Sequence, residues 1–89
     1  DVDRYIAAHR ATWTRLDELV GRAQVAPGRL SLDETEELLR LYQLTSAHLS
    51  HVRTNHRDQA LIGGLSSRVA AARQVIYGRR ARAPRALVS

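Results

Sequence analysis

Ala26-Pro27-Gly28-Arg29-Leu30-Ser31-Leu32-Asp33-Glu34 is the stretch around which this chain divides. Pro27 removes a backbone donor and Gly28 permits a positive φ, so a helix arriving at Ala26 stops and the chain turns. Ser31 and Glu34 then have the spacing of a capping box. The serine hydroxyl accepts from the Glu34 amide, and the Glu34 side chain reaches back to the Ser31 amide. Acids in this first turn also suit the positive end of a helix dipole. A stop followed so closely by a start means two helices joined by a short connection.

Upstream of the break, Val2, Ile6, His9, Trp13, Leu16, Val20 and Ala23 recur in steps of four and three. That spacing lays one stripe along a helix of about six turns, with Asp1 or Asp3 able to cap its start. Downstream, Leu38, Leu41 with Tyr42, Thr45, His48 with Leu49, and Val52 form a second stripe that fades around Thr54-Asn55-His56. Asp58 is placed to cap a third helix with the apolar face Leu61, Leu65, Val69, Ala72 and Ile76, expected to stop at Gly78. Gly63-Gly64 near its start weakens that first turn or marks a close approach to a neighbour.

Short connections between long helices make sequential helices antiparallel. The expected architecture is therefore all-α, an up-down-up antiparallel three-helix bundle over residues 1–78 with a basic C-terminal connector over 79–89. Ile6, Trp13, Leu16, Leu38, Leu41, Leu49, Leu65, Val69 and Ile76 are the expected core. There is no strand pattern and no internal repeat.

The 89 residues make one small domain with 44% hydrophobic content, no Phe, no Met and no Cys. Its core is aliphatic around the single Trp13, and neither a disulfide framework nor a thiolate metal site can form, which suits an intracellular setting. No apolar run approaches the roughly 20 residues that cross a bilayer, and the given stretch holds no charged start followed by an apolar centre of the signal-peptide kind. The first residue is not Met, and apolar residues resume at Ala86-Leu87-Val88, so the sequence reads as a soluble segment of a longer protein. All fourteen basic residues are Arg, a bias that a GC-rich genome explains better than bidentate recognition at every position.

Charge is segregated. The first 37 residues hold five arginines and eight carboxylates, and the remainder holds nine arginines and only Asp58. The surplus is densest at Arg79, Arg80, Arg82 and Arg85, which are read as the contact to a polyanion. A basic segment without interleaved aromatics fits an anionic membrane face or a phosphate backbone. Long helices with full-length stripes, and no aromatic set to stack on bases, favour the membrane surface over nucleic acid.

The order Trp13-x-x-Leu16-x-x-Leu19, Glu36-Glu37-Leu38, Leu41-Tyr42, His48-Leu49-Ser50-x-Val52-Arg53, Asp58, Leu65-x-x-x-Val69-x-x-Ala72-x-x-x-Ile76-Tyr77 carries a resemblance. It resembles the N-terminal region of stage II sporulation protein M family membrane proteins, the actinobacterial ones especially, over nearly the whole chain. Ser66 and Arg73 stand where that pattern has Asn and His. The resemblance implies a cytoplasmic helical region ahead of several transmembrane helices, in a family whose members act in envelope remodelling during spore formation. An arginine cluster just before resumed apolarity agrees with it, because a first span carries its positive flank on the cytoplasmic side.

The remaining candidates are read mainly as structure. His48 and His51, three apart on one helix face, are weak metal candidates: His9 can approach from the first helix, with Asp17 or Glu18 near, but a structural site wants four ligands and His9 reads as a core-edge histidine, so no metal and no cofactor are expected. Trp13 lies within its stripe and belongs to the core. Glu34, Glu36 and Glu37 are a solvated first turn rather than an acidic docking patch. Ser31 is a cap, with neither a base nor a glycine-rich elbow to make it a nucleophile. The expectation is a non-catalytic assembly or docking domain at the cytoplasmic face of a membrane, with an unidentified protein partner. Its alternatives are a small basic nucleic-acid-binding protein and a self-associating helical module. In the last case the first helix would pair with a second copy, its register set by Arg10, Arg15, Asp17 and Glu18.

Overall fold

A computed structural model describes the backbone of residues 1–88 and the side chains of residues 1–26 and 28–78. Three helices make the fold: α1 (Val2–Val25), α2 (Leu32–Asn55) and α3 (Gln59–Val88). Each packs against the other two. The result is an all-α, antiparallel, up-down-up three-helix bundle with no strand among the described residues. No helix among them is long and apolar enough to cross a membrane.

The chain ends its helices by local chemistry. Asp1 Oδ1 accepts from the Asp3 amide at 3.3 Å to start α1. The reversal after α1 is a single 3₁₀ turn, Pro27–Arg29, closed by Arg29 N–H donating to the Ala26 carbonyl at 2.9 Å. No glycine takes a positive φ, so Gly28 does not supply the left-handed residue its type allowed. Proline's fixed φ at the head of a tight 3₁₀ turn reverses the chain instead. The capping box of α2 is complete: Glu34 N–H donates to Ser31 Oγ at 3.0 Å, and Ser31 N–H to Glu34 Oε1 at 2.9 Å.

At the far end of α2 the His56 and Arg57 amides both donate to the Val52 carbonyl, at 3.0 and 3.3 Å. Arg57 has φ 50°, so an arginine holds the left-handed position that usually goes to glycine. Asp58 Oδ1 then accepts from the Leu61 amide at 3.0 Å and starts α3.

One expectation for α3 is narrowed and one is corrected. Gly63 has nothing near the place of a Cβ, and Gly64 only Arg68 Nη1 at 3.5 Å, so this pair marks no close backbone approach. The helix also does not stop at Gly78 but continues to Val88. Arg79-Arg80-Ala81-Arg82-Ala83 are strong helix formers, and an interior glycine costs only about 1 kcal/mol relative to Ala. The segment expected to be an aperiodic connector thus has a helical backbone.

The core lies in two clusters along the bundle axis. Leu16, Leu19, Val20, Ala23, Leu30, Leu38, Leu41 and Ala72 fill the end beside the 3₁₀ turn. Trp13, Leu49, Val52 and Leu65 fill the opposite end, with Tyr5, Ile6, Leu61, Ile62 and Val69 packed on them. Of the expected core, Ile6, Val69 and Ile76 are only half-buried but pack against these clusters. Leu19 and Leu30, which lay outside the predicted stripes, are buried. On α2 the fully buried Thr45 stands in sequence between Leu41 of one cluster and Leu49 of the other.

Ion pairs tie the helices at the surface. Arg15 on α1 makes a two-pronged contact with Glu37 on α2, both bonds at 2.9 Å, and also holds Glu18 at 2.7 Å. Arg22 reaches Glu34 at 2.7 Å, and Arg68 on α3 reaches Asp17 on α1 at 3.1 Å. Exposed pairs contribute at most about 1 kcal/mol each, so they set register more than stability.

Candidate functional site

The side chains of Arg79, Arg80, Arg82 and Arg85, the expected polyanion contact, lie outside the described residues. Of the other charged candidates, Arg15, Asp17, Glu18, Glu34 and Glu37 are engaged in ion pairs on the surface of the bundle, and Arg10 and Glu36 are in none of those pairs. Arg15, Asp17 and Glu18, read as register charges for a second copy, all pair within the chain. Glu34 and Glu37 are likewise held by Arg22 and Arg15. Glu34 is pushed down to about 2, chiefly by its bond from the Ser31 amide and then by Arg22. Arg15 holds Glu37 below the usual carboxylate range.

What the structure does bring together is every histidine of the chain. The first turns of α1 run beside the last turns of α2, which places Tyr5, His9 and Trp13, spaced four apart, against His48, His51 and His56. Tyr5 is the hub. Its ring stacks on His51 at 4.8 Å with an interplanar angle of 13°. It tilts against His9 at 4.5 Å and His56 at 5.3 Å, and meets His48 edge-on at 6.0 Å. His9 and His48 are 4.1 Å apart between ring centres.

One directed bond organises this cluster. Trp13 Nε1–H donates to His48 Nδ1 at 2.9 Å, and Trp13 is only 4% exposed. An indole nitrogen donates and never accepts, so His48 Nδ1 must be the acceptor and the neutral ring carries its proton on Nε2. Burial, followed by the proximity of His9 and His51, pushes His48 below the ordinary histidine value. Burial also raises the Tyr5 phenol.

Among the described residues no group of three or more His, Cys, Asp or Glu side chains is arranged to hold a metal ion. His48 turns to Trp13 and His9, and His51 lies flat on Tyr5. The approach of His9 to the α2 pair was expected, and it lies 4.1 Å from His48, but Tyr5 and His56 were not expected there. The signal available was the four-residue spacing of Tyr5, His9 and Trp13 combined with the antiparallel register. At the other end, Tyr77 meets the half-buried Tyr42 edge-on at 6.4 Å, and the Arg73 guanidinium lies 6.0 Å from the Tyr77 ring centre. A depression lined by Ala7, Arg10, Ala11, Thr14, Arg15 and Glu18 on the outer face of α1 is open to solvent rather than enclosed.

Fold and site together define a small all-helical bundle domain whose polar rings are packed against one another rather than arrayed around a cavity. The family model described as Domain of unknown function (DUF8413) matches residues 3–78, and the chain belongs to that family. No curated protein and no solved structure matches it.

Proposed function

We propose that this domain is a non-catalytic assembly or docking module held against the anionic cytoplasmic face of a membrane by its arginine-rich C-terminal end. The observation that carries this reading is the charge segregation: nine arginines and a single carboxylate follow Glu37, and four of those arginines fall between positions 79 and 85. Each arginine close to an anionic leaflet contributes on the order of 1 kcal/mol, so four together would retain a small domain at the surface. The resemblance to the N-terminal region of stage II sporulation protein M family proteins supports the same placement, ahead of membrane spans and facing the cytoplasm. The bundle would then present its helices to a protein partner in the envelope.

The test is sedimentation with vesicles. The domain should bind vesicles containing phosphatidylserine, ignore purely phosphatidylcholine ones, and release at about 0.5 M salt, where the screening length falls to a few ångströms. Changing Arg79, Arg80, Arg82 and Arg85 to Gln together should abolish binding. Equal binding to both vesicle types, or binding unchanged in the four-Gln variant, would sink the reading. Filter retention of duplex DNA with a steep salt slope, without vesicle binding, would move the arginines to nucleic acid.

A further inference from the structure

We propose that the histidine end of the bundle is an acid-operated latch, in which a proton gained by His48 breaks the Trp13–His48 bond and loosens the first turns of α1 from the end of α2. The bond is 2.9 Å long and its donor is buried. Imidazolium has N–H groups on both ring nitrogens and no acceptor. Protonation therefore sets two donors face to face, with the indole N–H shut away from water. A buried donor without a partner is strongly unfavourable, and outward movement of the ring or of α1 relieves it.

Among the described residues, none that faces His48 carries a negative charge to offset the new one. His9 and Tyr5 face His48 from α1, and His51 lies one turn along α2. His56 joins the cluster through Tyr5. What α3 brings to this end is apolar: Leu61, Ile62, Leu65 and Val69. Among the described residues no histidine pairs with a carboxylate, whereas Asp17, Glu18, Glu34 and Glu37 are each paired with an arginine. A metal ion on His48 Nε2 would require Nδ1 to carry the proton and would break the same bond, so the arrangement responds to protons rather than rewarding a metal.

The sign follows from the direction of the His48 shift. The folded value lies below the ordinary 6.5, so on acidification the unfolded chain takes up this proton first. The stabilisation is complete above about 6.5 and is lost as pH falls toward the folded value.

The single tryptophan gives one indole N–H resonance, which allows a direct test. Between pH 8 and pH 5 that resonance should leave its hydrogen-bonded position with a midpoint below 6.5, in step with the His48 ring protons. The thermal midpoint should drop by roughly 5–15 °C over the same interval. His48→Gln keeps an acceptor for the indole without a titrating proton, so most of both changes should disappear. A flat indole resonance down to pH 5, or an equal loss of thermal midpoint in the Gln variant, overturns the proposal. Should circular dichroism show the variant unfolded at pH 8, the natural chain decides alone: a His48 midpoint at or above 6.5 overturns it.

Discussion

Among the described residues, Thr45 is the one buried residue whose side chain works against the core. Its side chain is fully buried and its hydroxyl has no hydrogen-bond partner. A buried hydroxyl without a partner destabilises by about 1–3 kcal/mol. Thr45→Val retains the β-branched shape and removes the oxygen, so urea unfolding should show a gain of about 1 kcal/mol with an unchanged slope. The residue's burial was legible from its place on the second stripe. Its missing bond was not, because a helical threonine ordinarily returns its hydroxyl to the carbonyl four residues back, and only coordinates show that it does not. Trp13 differs on the same count: its place in the core followed from spacing, but its partner depended on which turn of α2 arrived beside it.

At the scale of the element, helix starts were more legible than helix stops. The α2 cap could be read from Ser31 and Glu34 because both bonds are made within four residues. Ser31→Ala should cost about 1 kcal/mol in thermal or urea unfolding. Glu34, pushed down to about 2 by that cap and by Arg22, contributes stability that is present above the unfolded carboxylate value of 4.5 and lost as pH falls through about 2. Glu34→Gln should therefore flatten this part of the acid-unfolding curve. The stops of α1 at Ala26-Pro27 and of α2 near Asn55 were legible from the proline and from the fading stripe, but the stop read from glycine alone was not. Gly78 sits inside a helix that goes on to Val88, while the left-handed stop of α2 fell to Arg57. Glycine permits such a conformation without imposing it, and Asp58 begins α3 one residue later regardless. Leu19 escaped the first stripe because α1 packs against two helices and buries a wider arc than a single seam.

For the whole molecule, the bundle's two ends differ in chemistry. Around the 3₁₀ turn lie the aliphatic cluster, the capping box and the Arg22–Glu34 pair. Around the α2–α3 turn lie the tryptophan and all four histidines. Up-down-up topology could be read from three stripes and two short breaks, and the topology in turn dictates which ends meet. The approach of His9 to the α2 histidines followed from that topology, but the full cluster joins residues 5–13 to residues 48–56, and the exact turn-to-turn register of α1 on α2 is a matter of packing.

The split core has a kinetic consequence. With its apolar residues in two clusters and an unpartnered threonine hydroxyl at the waist of α2, the molecule has a built-in line along which cooperativity can fail. Amides of the last turns of α2 should exchange with deuterium by a partial opening of lower free energy than the opening that exposes amides around Leu16 and Leu38. That gap should narrow in Thr45→Val, because an apolar waist would make the two halves yield together.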